Sequence, residues 1–288
     1  MASEERRVRT ADGLTLFARE YTAVRPQTGL PVLCLHGLTR NSRDFEVLAP
    51  RLAALGRRVI ALDVRGRGQS ERDPEPQRYN PAIYAQDALG LLTACEVEEA
   101  VWLGTSMGGI ITMVVGQFAP ARIAGVIFND VGPEIDPAGV ARIASYVGGT
   151  AEPFASWAEA ATAIRAVQGQ AFPDADAAFW DAFARRTCRE RPDGRLELDY
   201  DPAIAEPFKQ PAGAAPVDMW PLFDSLKEAP VLVVRGETSD ILSAATVEKM
   251  RARRPDLAAV EVPRIGHAPT LEEPAAWEAI VDFLARTP

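Results

Sequence analysis

The chain has 288 residues, 47% hydrophobic and 25% charged, which supplies apolar material for one large core and excludes a disordered or fibrous protein. Its formal net charge of -9 argues against a nucleic-acid partner, which would draw a basic face. No apolar run approaches the roughly 18 residues a membrane helix needs, and the opening Met-Ala-Ser-Glu-Glu-Arg-Arg-Val lacks the apolar centre of a secretory signal.

A cytoplasmic protein with no membrane or nucleic-acid partner is therefore expected. Short basic clusters exist (Arg185-Arg186, Arg189 to Arg191, Arg251 to Arg254), but they are interleaved with acids or close helices and read as solvated surface. Cys34, Cys95 and Cys188 are odd in number and widely spaced, so neither a disulfide framework nor a metal spacing emerges. His36 and His267 are the only histidines, too few for a multi-histidine metal site. Nothing in the sequence asks for a metal or an organic cofactor.

Residues 5–22 alternate polar and apolar around Ala11-Asp12-Gly13, where Asp-Gly predicts a hairpin whose second strand is Leu14 to Tyr21. Pro31 to His36 and Arg58 to Asp63 are short continuous apolar runs, as in strands buried on both faces. Between them a helix is predicted from about Asn41 to Leu55, and a second from about Pro81 to Cys95, with proline in its first turn. Ala100 to Leu103 and Ile123 to Phe128 are further strands flanking a helix that ends before Pro120.

The pattern then changes. From about Pro133 to Lys227 buried-strand runs are missing, and the stretch holds 11 of the chain's 21 aromatics and ten of its 23 prolines. Short helices broken by proline are expected there, one opened by the capping box Ser156-Trp-Ala-Glu159, another carrying Phe179 and Phe183 on one face. Residues 133–227 thus read as a helical cap inserted in an α/β core of residues 1–132 and 228–288. Most of its aromatics are expected to pack the cap onto the core, and the remainder to line an apolar pocket. The strand–helix alternation resumes with Pro230 to Arg235, a helix from about Ser243 to Arg254, and the strand Ala258 to Val262. A capping box, Thr270-Leu-Glu-Glu273, opens a last helix to about Ala285. Strands alternating with helices predict a mostly parallel α/β sheet with helices on both faces.

The chemistry centres on Gly104-Thr-Ser106-Met-Gly108. An apolar strand stops at a glycine, a serine follows, and an apolar helix begins, so Ser106 sits at the apex of a sharp strand-to-helix turn. A serine hydroxyl needs a base within hydrogen-bond reach. His267 lies in a loop at the C-terminal end of a strand, the edge where parallel sheets place their sites. His36, between a buried strand and Gly37, reads as structural. An imidazole base needs a carboxylate to hold its tautomer. Asp240 follows a strand and a short loop and is the preferred acid; Asp130, after the strand that precedes the insert, is the alternative. Asp63 reads as ordering the arginine-rich loop behind it. An oxyanion formed at the carbonyl would be met by two backbone donors, the N–H groups of Met107 and Leu38.

These pieces together resemble the α/β-hydrolase fold superfamily, of the cap-bearing kind. The matching residues are His36-Gly37, Asp63-x-Arg65-Gly66-x-Gly68-x-Ser70, Gly104 to Gly108, Gly236 to Asp240 and Gly266-His267, in that order. The resemblance implies an eight-stranded sheet and an enzyme that cleaves a small to medium carboxylic ester or lactone through a Ser106 acyl-enzyme, with Asp240 and His267 as partners. Serine at the apex separates the chain from haloalkane dehalogenases and epoxide hydrolases, which use aspartate there. Ser106-Met-Gly-Gly is also similar to C–C bond hydrolases and to cofactor-free haloperoxidases or perhydrolases, and a ligand receptor on the same fold is a further alternative.

Overall fold

The computed structural model describes residues 3–24, 27–148, 152–209, 217–226 and 228–287. The predicted hairpin is present as β1 (Glu4–Arg9) and β2 (Thr15–Tyr21), with β2 running on antiparallel to β4 (Val59–Asp63). From there the sheet is parallel: β3 (Val32–Leu35), β5 (Ala100–Thr105), β6 (Ile123–Asn129), β9 (Val231–Gly236) and β10 (Ala258–Val262). The eight strands lie in the order β1-β2-β4-β3-β5-β6-β9-β10, so the serine-bearing strand β5 is central.

Strand alternation sends successive side chains to opposite faces. In β5, Ala100 and Trp102 join the core under α2 (Pro81–Ala94), α3 (Met107–Phe118) and the inner face of α8 (Ala244–Arg253). Val101 and Leu103 join the core under α1 (Leu48–Ala54) and α9 (Pro274–Arg286). Each fully buried aliphatic side chain of these strands stabilises the fold by about 1.5–3 kcal/mol relative to exposure. The indole N–H of Trp102 is satisfied at the strand end by Arg122 O at 2.9 Å.

Two predicted helices begin later than their sequence signals. The stretch from Asn41 forms a short 3-10 turn, Ser42–Phe45, capped by the Asn41 side chain, and α1 starts afresh at Leu48. Pro50 explains the break: a helix running from Asn41 would hold a proline in its interior, whereas starting at Leu48 leaves it in the first turn. Likewise α9 starts at Pro274, and Glu273 Oε1 instead accepts from Thr270 N–H at 2.9 Å and from the Thr270 hydroxyl at 3.0 Å.

Between β6 and β9 the chain forms α4 (Pro137–Tyr146), α5 (Trp157–Gln168), α6 (Ala177–Thr187), a small hairpin of β7 (Cys188–Glu190) and β8 (Leu196–Leu198), and α7 (Trp220–Asp224). The hairpin adds two short strands to the mainly helical segment expected. Phe154, Ile164, Phe172, Trp180 and Phe183 form an apolar cluster of their own, in which the Phe179 and Phe183 rings stand 5.7 Å apart. Phe223 of α7 packs into the main core instead, and the expected boundary at Lys227 lies outside the described residues. Hydrogen bonds tie the segment to loops at the sheet edge, among them Gly68 N–H to Asp199 O at 3.0 Å and Gly266 N–H to Ala171 O at 2.8 Å. The three cysteines are free and buried. No helix among the described residues is long and apolar enough to cross a membrane.

Candidate active site

Ser106 has φ 51° and ψ -114°, a left-handed conformation that non-glycine residues rarely hold. The turn closes because its flanks lack side chains. A Cβ on Gly104 would fall 2.4 Å from the Gly108 carbonyl carbon, and one on Gly108 would fall 2.2 Å from Leu35 O. Ser106 N–H donates to Asn129 O at 3.0 Å, which anchors the apex to β6.

The Ser106 hydroxyl donates to His267 Nε2 at 2.9 Å, and His267 Nδ1–H donates to Asp130 Oδ2 at 2.7 Å. Asp130 is fully buried and receives two more donors, Gly236 N–H on Oδ1 at 2.9 Å and the Ser239 hydroxyl on Oδ2 at 2.6 Å. The carboxylate is thus fixed in orientation and the imidazole is held as the Nδ1–H tautomer, with Nε2 free to take the serine proton. Asn129 braces the same loop: its amide N–H donates to Pro269 O at 2.8 Å, two residues past the histidine.

Asp240, the preferred acid on sequence grounds, does not meet His267. It forms a two-point pair with Arg142 of α4, at 2.5 and 2.9 Å, and its side chain is 37% exposed. The Arg142 guanidinium holds its carboxyl below the usual aspartate range. Arg142 draws the Asp240 carboxylate away from the histidine. Asp130 follows directly on β6, which lies beside β5, whereas Asp240 stands four residues beyond the end of β9 and turns outward to the insert.

His36 is buried and fully used. Its Nδ1–H donates to Gly37 O at 2.7 Å and its Nε2 accepts from Val64 N–H at 3.0 Å. Burial pulls its pKa down to about 4, so it stays neutral. Gly37 O also accepts from Arg40 N–H at 3.2 Å. Because C=O and N–H point opposite ways across a trans peptide, fixing Gly37 O fixes the direction of Leu38 N–H. Neither Leu38 N–H nor Met107 N–H donates to a protein acceptor among the described residues, which leaves both available to an oxyanion. Asp63 takes Ser42 N–H at 2.6 Å and Gln69 N–H at 2.8 Å, holding the loops on either side of β4's end.

The serine opens into a cavity of about 110 Å³, walled chiefly by Leu38, Ile143, Tyr146, Phe172, Phe183 and Leu271. Arg186 also lines it, which corrects the reading of Arg185-Arg186 as solvated surface. Successive helix residues differ by about 100° in direction: Arg185 faces solvent and pairs with Asp181, while the Arg186 side chain is 8% exposed. Arg254 departs from that reading too, buried with its guanidinium on Leu226 O and Ala229 O. Among the described residues no group of three or more His, Cys, Asp or Glu is placed to hold a metal ion.

A serine, an imidazole and a buried carboxylate in hydrogen-bonded series on a strand-to-helix elbow define an arrangement able to attack a carbonyl, and the comparisons agree with the fold. The alpha/beta hydrolase fold family model matches residues 31–274, and the chain belongs to that family and is a hydrolase. It is 36% identical over 253 residues to a 3-hydroxybutyrate-oligomer hydrolase of Cupriavidus necator, covering 85% of this chain and 84% of that one. It is 30% identical over 258 residues to a 2-(acetamidomethylene)succinate hydrolase of Mesorhizobium japonicum, covering 89% and 88%. A crystal structure of an α/β hydrolase from Novosphingobium aromaticivorans superposes with a TM-score of 0.92 at 49% identity, covering 99% of both chains.

Proposed function

We propose that the protein hydrolyses a small to medium carboxylic ester or lactone through an acyl-enzyme on Ser106, beneath a cap formed by residues 133–227. The observation that carries this reading is the hydrogen-bonded series Ser106–His267–Asp130 at the elbow. His267 Nε2 takes the hydroxyl proton as Ser106 Oγ bonds to the carbonyl carbon, and Asp130 offsets the imidazolium charge. The N–H groups of Leu38 and Met107 receive the oxyanion; losing one such donor typically costs about 3 kcal/mol. His267 then delivers the proton to the departing alkoxide, and water repeats the cycle on the acyl group. The name of one relative fits an ester: an oligomer of 3-hydroxybutyrate is a chain of short hydroxy-acid esters. The small, largely apolar cavity suits a short acyl chain.

The test is turnover by purified protein of short and long acyl esters, lactones and vinylogous diketones, with Ser106→Ala as control. The reading expects turnover of a short ester or lactone that the variant lacks. Cleavage of diketones alone would replace it with C–C bond hydrolysis, and tight binding with barely one turnover would replace it with a receptor.

A further inference from the structure

Two residues of the cavity wall keep a buried polar atom without a partner among the described residues, Asn129 at Oδ1 and Arg186 at Nε, and of the two only Arg186 is a cationic donor. Its side chain is 92% buried, NH1 donates to Glu272 Oε1 at 3.1 Å, and Nε has no acceptor. A buried guanidinium N–H left without an acceptor is costly, and charged donors are costlier than neutral ones. The neighbouring Arg40 offers a contrast: its three nitrogens are all used, on both oxygens of Asp44 and on the Thr187 hydroxyl. Asp44, the only carboxylate among the described lining residues, is thereby neutralised. The Glu272 side chain is one-third exposed and engages only one edge of the Arg186 fork. Arg186 therefore keeps guanidinium donors beyond the one that Glu272 engages, whereas those of Arg40 are spent.

We infer that Arg186 is a specificity-determining residue that receives a free carboxylate of the substrate. The substrate class is then an ester that also carries a carboxylate, either a hydroxy-acid ester or the half-ester of a diacid. A planar guanidinium edge matches carboxylate geometry, and charge-assisted bonds of this kind contribute about 1.5–3 kcal/mol, or roughly 10–150-fold in kcat/KM. The inference rests on the ester-hydrolase reading and narrows it.

The experiment uses two size-matched pairs that differ only in charge: 3-acetoxybutyrate against 3-acetoxybutanamide, and monoethyl succinate against ethyl succinamate. The first pair puts the carboxylate in the leaving group, the second in the acyl part. The expected result is a preference of at least tenfold in kcat/KM for the anion in one pair, which collapses toward unity in Arg186→Gln and partly returns in Arg186→Lys. Equal kcat/KM within both pairs overturns the inference, as does a variant that slows all four substrates by one factor, since that behaviour marks Arg186 as a mere tie to Glu272. If Arg186→Gln does not fold, the wild-type preference decides. Binding to Ser106→Ala gives a readout free of chemistry: the anionic ester of the favoured pair should bind at least tenfold tighter than its amide, and equal affinity refutes the inference. Failure of the ester-hydrolase reading looks different, with turnover surviving in Ser106→Ala or no ester cleaved at all.

Discussion

Replacing Asp130 by asparagine separates the two carboxylates most sharply. The buried carboxylate accepts three protein donors, and two of them, the Ser239 hydroxyl and His267 Nδ1–H, meet on Oδ2. An asparagine that keeps its oxygen toward Gly236 N–H turns its NH2 toward His267. The imidazole then relaxes to the tautomer with Nδ1 accepting and Nε2 protonated, and Ser106 loses its base. Mis-setting the tautomer in such a relay costs on the order of 10⁴ in kcat, or about 5.5 kcal/mol at 1.36 kcal/mol per decade. Asp240→Asn gives up only part of a partly exposed pair with Arg142, of a kind that contributes about 0–1 kcal/mol to stability, and Asp240 has no hydrogen bond to Ser106 or His267, so its activity should fall far less than that of Asp130→Asn. The assay is kcat/KM on p-nitrophenyl butyrate, with thermal unfolding of each variant to show that the fold persists. A larger loss in Asp240→Asn than in Asp130→Asn would refute the assignment of Asp130.

Three further outcomes follow from the same geometry. Gly108→Ala places a methyl group 2.2 Å from the Leu35 backbone oxygen, which has no room to yield; chemical denaturation should show a loss of about 3 kcal/mol or failure to fold. His36 titrates near 6.5 unfolded and at about 4 when folded, so its stabilising effect is intact above pH 6.5 and is lost as pH falls toward 4. That difference corresponds to about 3 kcal/mol, and the stability gap between wild type and His36→Asn should narrow by about that much over this window in urea titrations; a gap independent of pH would contradict a buried neutral imidazole. Arg142→Ala removes the partner of Asp240, and a loss of about 1 kcal/mol in unfolding free energy with kcat/KM little changed is expected.

What was legible in the sequence tracks how local each cause is. The elbow reads from five residues because its two glycines answer to clashes within one strand–turn–helix unit. His267 reads from its place at a strand end. The acid is different, since Asp130 and Asp240 both follow parallel strands and both precede the histidine in the chain. Arg142 decides between them, and its claim on Asp240 depends on where α4 crosses the sheet edge, which no nearby residue encodes. The pairing of Asp130 with Ser239 was likewise hidden, although Ser239 lies in the very loop that drew attention to Asp240. Arg186 was masked by Arg185: two adjacent arginines look like surface until the helix phase is known, and only the packing of α6 sets that phase. The late starts of α1 and α9 follow from Pro50 and Pro274, since proline is tolerated in the first turn of a helix and not in its interior.

The central claim is that Ser106, activated by His267, is the nucleophile. Treating the protein with a fluorophosphonate and mapping the adduct by peptide mass spectrometry tests it most directly. One phosphonyl group is expected, on the peptide holding Gly104 to Gly108 and assigned to Ser106, absent in Ser106→Ala and formed far more slowly in His267→Ala and Asp130→Asn. An adduct on another residue, or labelling of Ser106 at an undiminished rate without His267, would contradict it.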